Sequence, residues 1–273
     1  MGQGLSVNAS VGAMVALQQL NLTNKRLQSS QLRITTGLKV NGPQDDGSTF
    51  AIATRLRGDI AGTKAVSTAL AAGNSTVDVA VSAGKAIADV LVEMKGKTVQ
   101  ANQAGLDSAS RSSLQADFAA LRTQIDTIVA SAEFNQANLI FGAASTLNVL
   151  STIEGSVIAV SGQKMDATTL VIHNSSLATS SAAVVSLASI ETAIVLIGTK
   201  LAALGSSAKT LDVQGDFAVS LVDILTDGLG NLVDADLAQE SATLQALQIQ
   251  QQLGVQALSI ANSAPQSILG LFQ

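Results

Sequence analysis

Seven residues separate each member of the series Ile190, Ile197, Leu204, Leu211, Ala218, Leu225 and Leu232. An apolar row held to that period over such a length predicts a long α-helix with one face covered by a partner helix. The same rhythm recurs. Leu17, Leu20, Leu27 and Ile34 follow a 3-4 spacing completed by Asn24 and Gln31, whose polar groups fix register and partner choice at some cost in stability. Leu56, Leu70, Val77 and Leu91 lie multiples of seven apart, with Val66, Ile87 and Met94 as a second row. Leu114, Phe118, Leu121, Ile125 and Ile128 run 4-3-4-3, and a last segment from about Asp234 carries Leu237, Leu244, Leu247, Val255, Leu258, Ile268 and Phe272.

The breaks between these rows set the order of elements. Gly37 to Pro43 interrupts the first helix, and Asp45 and Asp46 then sit where a helix N-terminus favours negative charge. Unbroken to about Asn102, the helix starting there would be roughly 85 Å long at 1.5 Å per residue. Asp107 and Ser108 start the next helix, which is expected to fold back on its predecessor. Between about Phe134 and Ser176 the period changes: Leu147, Val149, Val157, Val160, Leu170 and Ile172 fall in short runs separated by Glu154-Gly155-Ser156 and Gly162-Gln163, the pattern of a β-hairpin or small sheet. Helical spacing returns near Ser181, with Gly205 or Gly215 as points of loosening; Asp234 and Asp236 mark another helix start, and Pro265 should bend or end the last helix. Helices from both chain ends must therefore meet to cover their stripes. The expected fold is mainly α, a long antiparallel coiled-coil or helical-bundle rod built from both ends, with a small β-hairpin region in the middle.

Charge placement says what the ends are for. Met1 to Asn24 and Ser241 to Gln273 contain no Asp, Glu, Lys or Arg, although the chain has 15 basic and 20 acidic residues. Termini are normally polar and frayed; ends that alternate aliphatics with Gln, Asn and Ser are suited to packing against each other and against neighbouring chains. Hydrophobic residues make up 47% but aromatics only 2%, so close packing rests on small aliphatic side chains. A net charge of −5 argues against a nucleic-acid partner. The absence of cysteine removes disulfide and thiolate chemistry and suits export into an oxidising exterior. No secretory signal peptide is visible, and no membrane insertion is expected, since eight Gln residues interrupt the one tail of spanning length.

Catalytic patterns fail one by one. His173 is the only histidine, which excludes a zinc-protease pair or a Ser-His-Asp triad within one chain, and it reads as a surface residue at a strand end. Gly96-Lys97-Thr98 resembles the tail of a phosphate loop, but Leu91 occupies the position that needs glycine. Gly228-x-Gly230 has Val233 where a dinucleotide fingerprint needs a third glycine. Gly58 and Gly62 read as close packing in water, and Asp234, Asp236 and Glu240 as capping rather than a cation site. No catalytic, cofactor or metal residue is expected.

Both ends resemble bacterial flagellin. The stretch Leu32-Arg33-Ile34-Thr35-Thr36-Gly37-Leu38-Lys39-Val40-Asn41, then Asp45-Asp46 and Ala51-Ile52-Ala53, is similar to the N-terminal signature of that family. The stretch Asn231-Leu232-Val233-Asp234-Ala235-Asp236-Leu237-Ala238, with Gln251-Gln252-Leu253-Gly254, Ala261-Asn262 and Pro265-Gln266, is similar to the C-terminal one. The resemblance implies a short form without large outer domains, a structural subunit of the motility filament. Residues 1–41 and 233–273 would form the coiled-coil inner domain lining the filament channel, and 42–232 a helical rod domain with the β-rich segment at about 134–176. On this reading Leu17, Leu20, Leu27, Ile34, Leu244, Leu247, Val255, Leu258, Ile268 and Phe272 are candidates for the subunit interface. It implies export unfolded through the flagellar type III apparatus and assembly at the distal tip of an extracellular filament. Partners would be further copies, sibling flagellins, the cap, hook-filament junction proteins and an export chaperone. A junction protein, or a secreted coiled-coil translocator or effector, is the alternative. One departure stands out: flagellins sensed by the animal innate receptor carry a basic residue where this chain has Glu93 and a leucine where it has Lys97, so weak receptor signalling is expected.

Overall fold

The computed structural model describes residues 11–142 and 146–269, with side chains as far as Ser263. The described elements are helices α1 (Val11–Thr36), α2 (Gly47–Ala101) and α3 (Ser108–Ser131), strands β1 (Leu147–Leu150) and β2 (Val157–Val160), and helices α4 (Ser180–Val233) and α5 (Leu237–Leu269). Internal packing divides the chain within α2 and α4, into a unit of Met1–Gly58 with Leu225–Gln273 and a unit of Asp59–Ile224. The expected boundaries, after residue 41 and before residue 233, lie at the helix junctions instead.

In the second unit the heptad rows form the core. Leu70, Val77, Ile87, Leu91 and Met94 of α2 are buried with Ile190, Ile197, Leu204, Leu211 and Ala218 of α4, and Phe118, Leu121 and Ile125 of α3 join them. Asp107 caps α3, accepting from Ser110 N and Ser110 Oγ at 2.8 Å each, and these bonds hold its carboxyl below the usual carboxylate range. An ion pair of 2.7 Å from Lys97 to Asp117 ties α2 to α3, which returns along it as the spacing predicts.

Strands β1 and β2 pair antiparallel, Leu147 opposite Val160 and Leu150 opposite Val157, and Gly155 supplies the positive φ of 94° in the connecting turn. Leu170 and Ile172, expected in a strand, lie in a chain of turns instead. Both are fully buried, and between them Val171 is held at φ 61°, a left-handed conformation that costs a β-branched residue on the order of 1–3 kcal/mol. Burial of its neighbours stabilises the turn that β pairing does not. His173 accordingly sits exposed in this loop, not at a strand end; its carbonyl accepts from Arg122 Nη1 at 2.6 Å.

Two glycines let the hairpin approach α2, and a third on the same line lets α4 approach it. Gly62, Gly73 and Gly84 are spaced by 11, three helical turns, and so lie along one line of the helix. A Cβ at Gly73 would stand 2.6 Å from Val149 Cγ2, one at Gly62 2.9 Å from Ile153 Cγ2, and one at Gly84 2.7 Å from Leu201 Cδ2. Gly205 and Gly215 do not loosen α4, which is continuous through both. Neither does Pro265 end α5, whose backbone remains helical to Leu269. A stretch of α4 is also long and apolar enough, by length and composition, to cross a membrane, which the sequence reading passed over. Its apolarity is accounted for on one side by the buried row Ile190, Ala193 and Ile197.

Candidate assembly surface

The first unit is built on the pairing of α1 with α5. The two run antiparallel: Gln251 Nε2 donates to Asn24 Oδ1 at 2.8 Å, Ser30 Oγ to the Glu240 carbonyl at 3.4 Å, and Arg33 lies 3.9 Å from Glu240. Leu20 closes on Gly254, where an added Cβ would stand 3.2 Å from Leu20 Cδ1. Thr23, Ser30 and Leu247 are buried in the seam, and Leu20, Leu27, Ile34, Leu244 and Leu258 are half-buried. The polar seam position at Asn24 thus has its partner within the same chain, which sets the register of the pair.

A short junction fixes the other end of the pair. Gly37, at φ 73°, ends α1 in the left-handed conformation common at helix C-termini, with its N–H on the Arg33 carbonyl at 2.8 Å. Lys39 N then donates to the Val233 carbonyl at 2.7 Å, and Ala235 N to the Gly37 carbonyl at 2.8 Å. Val40, Ala53 and Val233 form a small core beneath, packed by Leu38, Phe50, Leu229 and Leu232.

Of the four acidic residues expected at helix starts, two cap helices and two do not. Asp46 Oδ1 accepts from Ser48 N and Thr49 N at 3.0 and 3.1 Å, and Thr49 Oγ1 donates to its other oxygen at 2.6 Å. These bonds, the Thr49 hydroxyl first, hold Asp46 below the usual carboxylate range. Asp236 does the same work at α5, accepting from Ala238 N and Gln239 N. Asp45 caps no helix; it accepts from Asn41 N and Gly42 N and so closes the preceding turn. Asp234 follows the end of α4, where its backbone bridges Leu38.

Placement also separates the interface candidates. Leu20, Leu27, Ile34, Leu244, Leu247 and Leu258 belong to the intrachain seam, whereas Leu17 (48% exposed) and Val255 (53%) are open to solvent. The Ile268 side chain and Phe272 lie outside the described residues. What heptad counting missed is the opposite face. Val11, Met14, Val15, Leu22 and Leu32 on α1, and Ile249, Leu253 and Ile260 on α5, are all exposed. Their signal in the sequence is the absence of charge at positions that a soluble helix pair would make polar. Glu93 is exposed on α2, and Lys97, one turn on, is committed to Asp117, whose carboxylate raises its ammonium above the ordinary value. Among the described residues no group of His, Cys, Asp and Glu could hold a metal ion.

A pair of helices apolar on both faces, joined at one end by a short bridge, is matched on both sides by known proteins. The model of the bacterial flagellin N-terminal helical region matches residues 7–145, and that of the C-terminal helical region matches 187–272. The chain belongs to the bacterial flagellin family. Flagellin FljK of Caulobacter vibrioides is 42% identical to it over 269 residues, covering 98% of each chain, and the flagellin of Brucella melitensis is 38% identical over 281 residues, covering 98% of this chain and 99% of that one. Two solved structures share the fold. Bacillus cereus flagellin has a TM-score of 0.50 at 20% identity over 54% of this chain and 86% of its own. A putative flagellar hook-associated protein from Vibrio parahaemolyticus has a TM-score of 0.59 at 12% identity over 70% of this chain and 100% of its own. This flagellin is therefore a structural subunit of the flagellar filament, a self-polymerising motility protein and not an enzyme.

Proposed function

We propose that this flagellin polymerises through the outward apolar faces of α1 and α5, with residues 1–41 and 233–273 forming the inner layer around the filament channel. The observation that carries the reading is the exposed apolar surface on both helices of the pair, free of charge before Lys25 on α1 and after Glu240 on α5. Covering a Leu or Ile contributes about 1.5–3 kcal/mol, and an unpaired charge buried in the same layer would cost several. That asymmetry explains why residues 1–24 and 241–273 hold no charge at all. The chain is exported unfolded through the flagellar type III apparatus, served by a chaperone, and added beneath a cap to a filament that starts on junction proteins and accepts sibling flagellins.

The test separates the two faces. Seeded assembly of the full chain gives long tubes in negative stain, and a variant without residues 1–41 and 233–273 gives none. Ile249→Gln with Leu253→Gln, on the outward face, blocks tubes while leaving the helicity of the monomer intact. Leu247→Gln, in the seam, lowers both. Tubes from the trimmed chain would refute the reading. Growth that stops at short rings would favour a junction protein, and binding to liposomes a translocator.

A further inference from the structure

Helix α4 has a face that nothing among the described residues covers. Val213, Phe217 and Ile224 are exposed, Phe217 by 58%, on the side of the helix opposite the buried Leu211 and Ala218. Alongside them run Asp212, Asp216 and Asp223, whose spacing of 4 and 7 keeps them within an arc of roughly 40°.

The chain carries the complement elsewhere. Residues 1–44 contain Lys25, Arg26, Arg33 and Lys39 and no acid, whereas residues 210–273 contain seven acids and no base. Some of these are satisfied internally: Arg33 lies near Glu240, Lys39 Nζ donates to the Asn231 carbonyl, and Asp212 accepts from Asn74 Nδ2 at 2.7 Å. Lys25, Arg26, Asp216 and Asp223 are exposed, and among the described residues none of them has an ion-pair partner. Lys25 lines a shallow groove on α1 with Met14, Leu17 and Leu22. Each surface is thus a charged row bordered by exposed aliphatic or aromatic side chains, and the two are opposite in sign.

We infer that the Lys25/Arg26 face of α1 docks on the Asp216/Asp223 face of α4 in a second copy of this chain. The inference rests on the polymerisation reading and adds a contact to it. Two different patches that fit each other make a head-to-tail interface, and such an interface propagates into an open helical polymer unless its rotation closes a ring. Opposite charge steers the incoming subunit, and the flanking apolar groups supply the area that hydrophobic burial needs.

The experiment uses the full-length chain in seeded elongation at 50 and 500 mM NaCl, with three variants: Lys25→Glu/Arg26→Glu, Asp216→Lys/Asp223→Lys, and all four changes together. Circular dichroism of each monomer confirms equal helicity. Each reversal replaces attraction by repulsion and raises the protein concentration needed for elongation at least about tenfold, a 1.4 kcal/mol effect. The fourfold exchange returns it to within about threefold of the parent. Reversals that elongate at the parent's concentration would overturn the pairing while leaving polymerisation standing, and so would an exchange that fails to restore growth. A parent that forms no tubes would overturn both.

Discussion

Gly73 allows a sharp test of how the hairpin sits on α2. An alanine there should gain about 1 kcal/mol in helix propensity. Its Cβ, however, would stand 2.6 and 2.9 Å from the two methyls of Val149 and 3.3 Å from its Cβ. Valine has a single strongly restricted torsion, and rotation about it replaces one of the two facing methyls by hydrogen but leaves the other against the new Cβ, so full relief requires β1 to move. Val149 is buried and its strand is paired to β2 at Ile158. Overpacking of this kind costs about 1–3 kcal/mol, which leaves Gly73→Ala up to about 2 kcal/mol less stable. Gly198, on the exposed side of α4 with nothing within 4 Å of an added Cβ, provides the control and should gain about 1 kcal/mol. Thermal unfolding of the monomer, followed by circular dichroism, reads both. At about 2–4 °C per kcal/mol for a unit of this size, Gly73→Ala melts several degrees below the parent and Gly198→Ala a few degrees above it. Gly84→Ala falls between them, because the atoms it meets are the mobile ends of Leu201 and Met165. A melting point for Gly73→Ala equal to that of Gly198→Ala would refute the packing argument, as would a failure of Val149→Ala to reduce the penalty.

The capping carboxylates predict an acid limit. Asp46 and Asp107 are held below the usual range in the folded chain, so their stabilisation is complete above the unfolded value of about 3.9 and is lost as pH falls through the lowered folded values. Melting temperature should therefore drop on acidification below about pH 4, and Asp46→Asn with Asp107→Asn should flatten that drop. Asp117→Asn removes the partner of Lys97 and should lower its pKa, read by nuclear magnetic resonance titration of the ammonium; an unchanged value would exclude the ion pair in solution. Glu93, exposed on α2, should keep signalling by the animal innate receptor weak, and Glu93→Arg with Lys97→Leu should raise it; a parent response in reporter cells as strong as that to an enteric flagellin would refute this.

The heptad rows were legible because a helix whose one face is covered repeats its apolar residues whatever covers them. Ile190 through Ala218 and Leu70 through Met94 are buried where the spacing puts them. Asp46 and Asp236 were legible because capping is local chemistry. The misreadings had a different origin. Leu170 and Ile172 are apolar alternates, as in a strand, yet they are held by burial around Val171 without a partner strand, and alternation alone carries no information about pairing. Gly205 and Gly215 stay helical because a glycine in a long helix packed along one face costs only about 1 kcal/mol. Pro265 withholds one donor from the helix and its fixed φ is already helical, so a segment near a helix end can accommodate it.

The outward face was missed because heptad counting asks which residues pair helices and stops when one partner is found. Leu20 and Leu247 satisfy that question within the chain, but Leu253 and Ile249, on the same helix as Leu247, leave it open. For such a helix pair, folding and assembly are linked. The seam alone buries few large side chains and depends on Asn24–Gln251, Ser30–Glu240 and Arg33–Glu240 for register, and polar pairs of this kind specify an arrangement more than they stabilise it. On the proposed assembly, the remaining apolar surface would contribute only when a second copy covers it. Stability of the pair is then set by subunit concentration, by the same mass action that stabilises any protein whose folded form alone binds its partner. On the proposed assembly, α1 and α5 would be weakly held in a single chain and fixed on joining the filament, and the exposed apolar face would account for both behaviours.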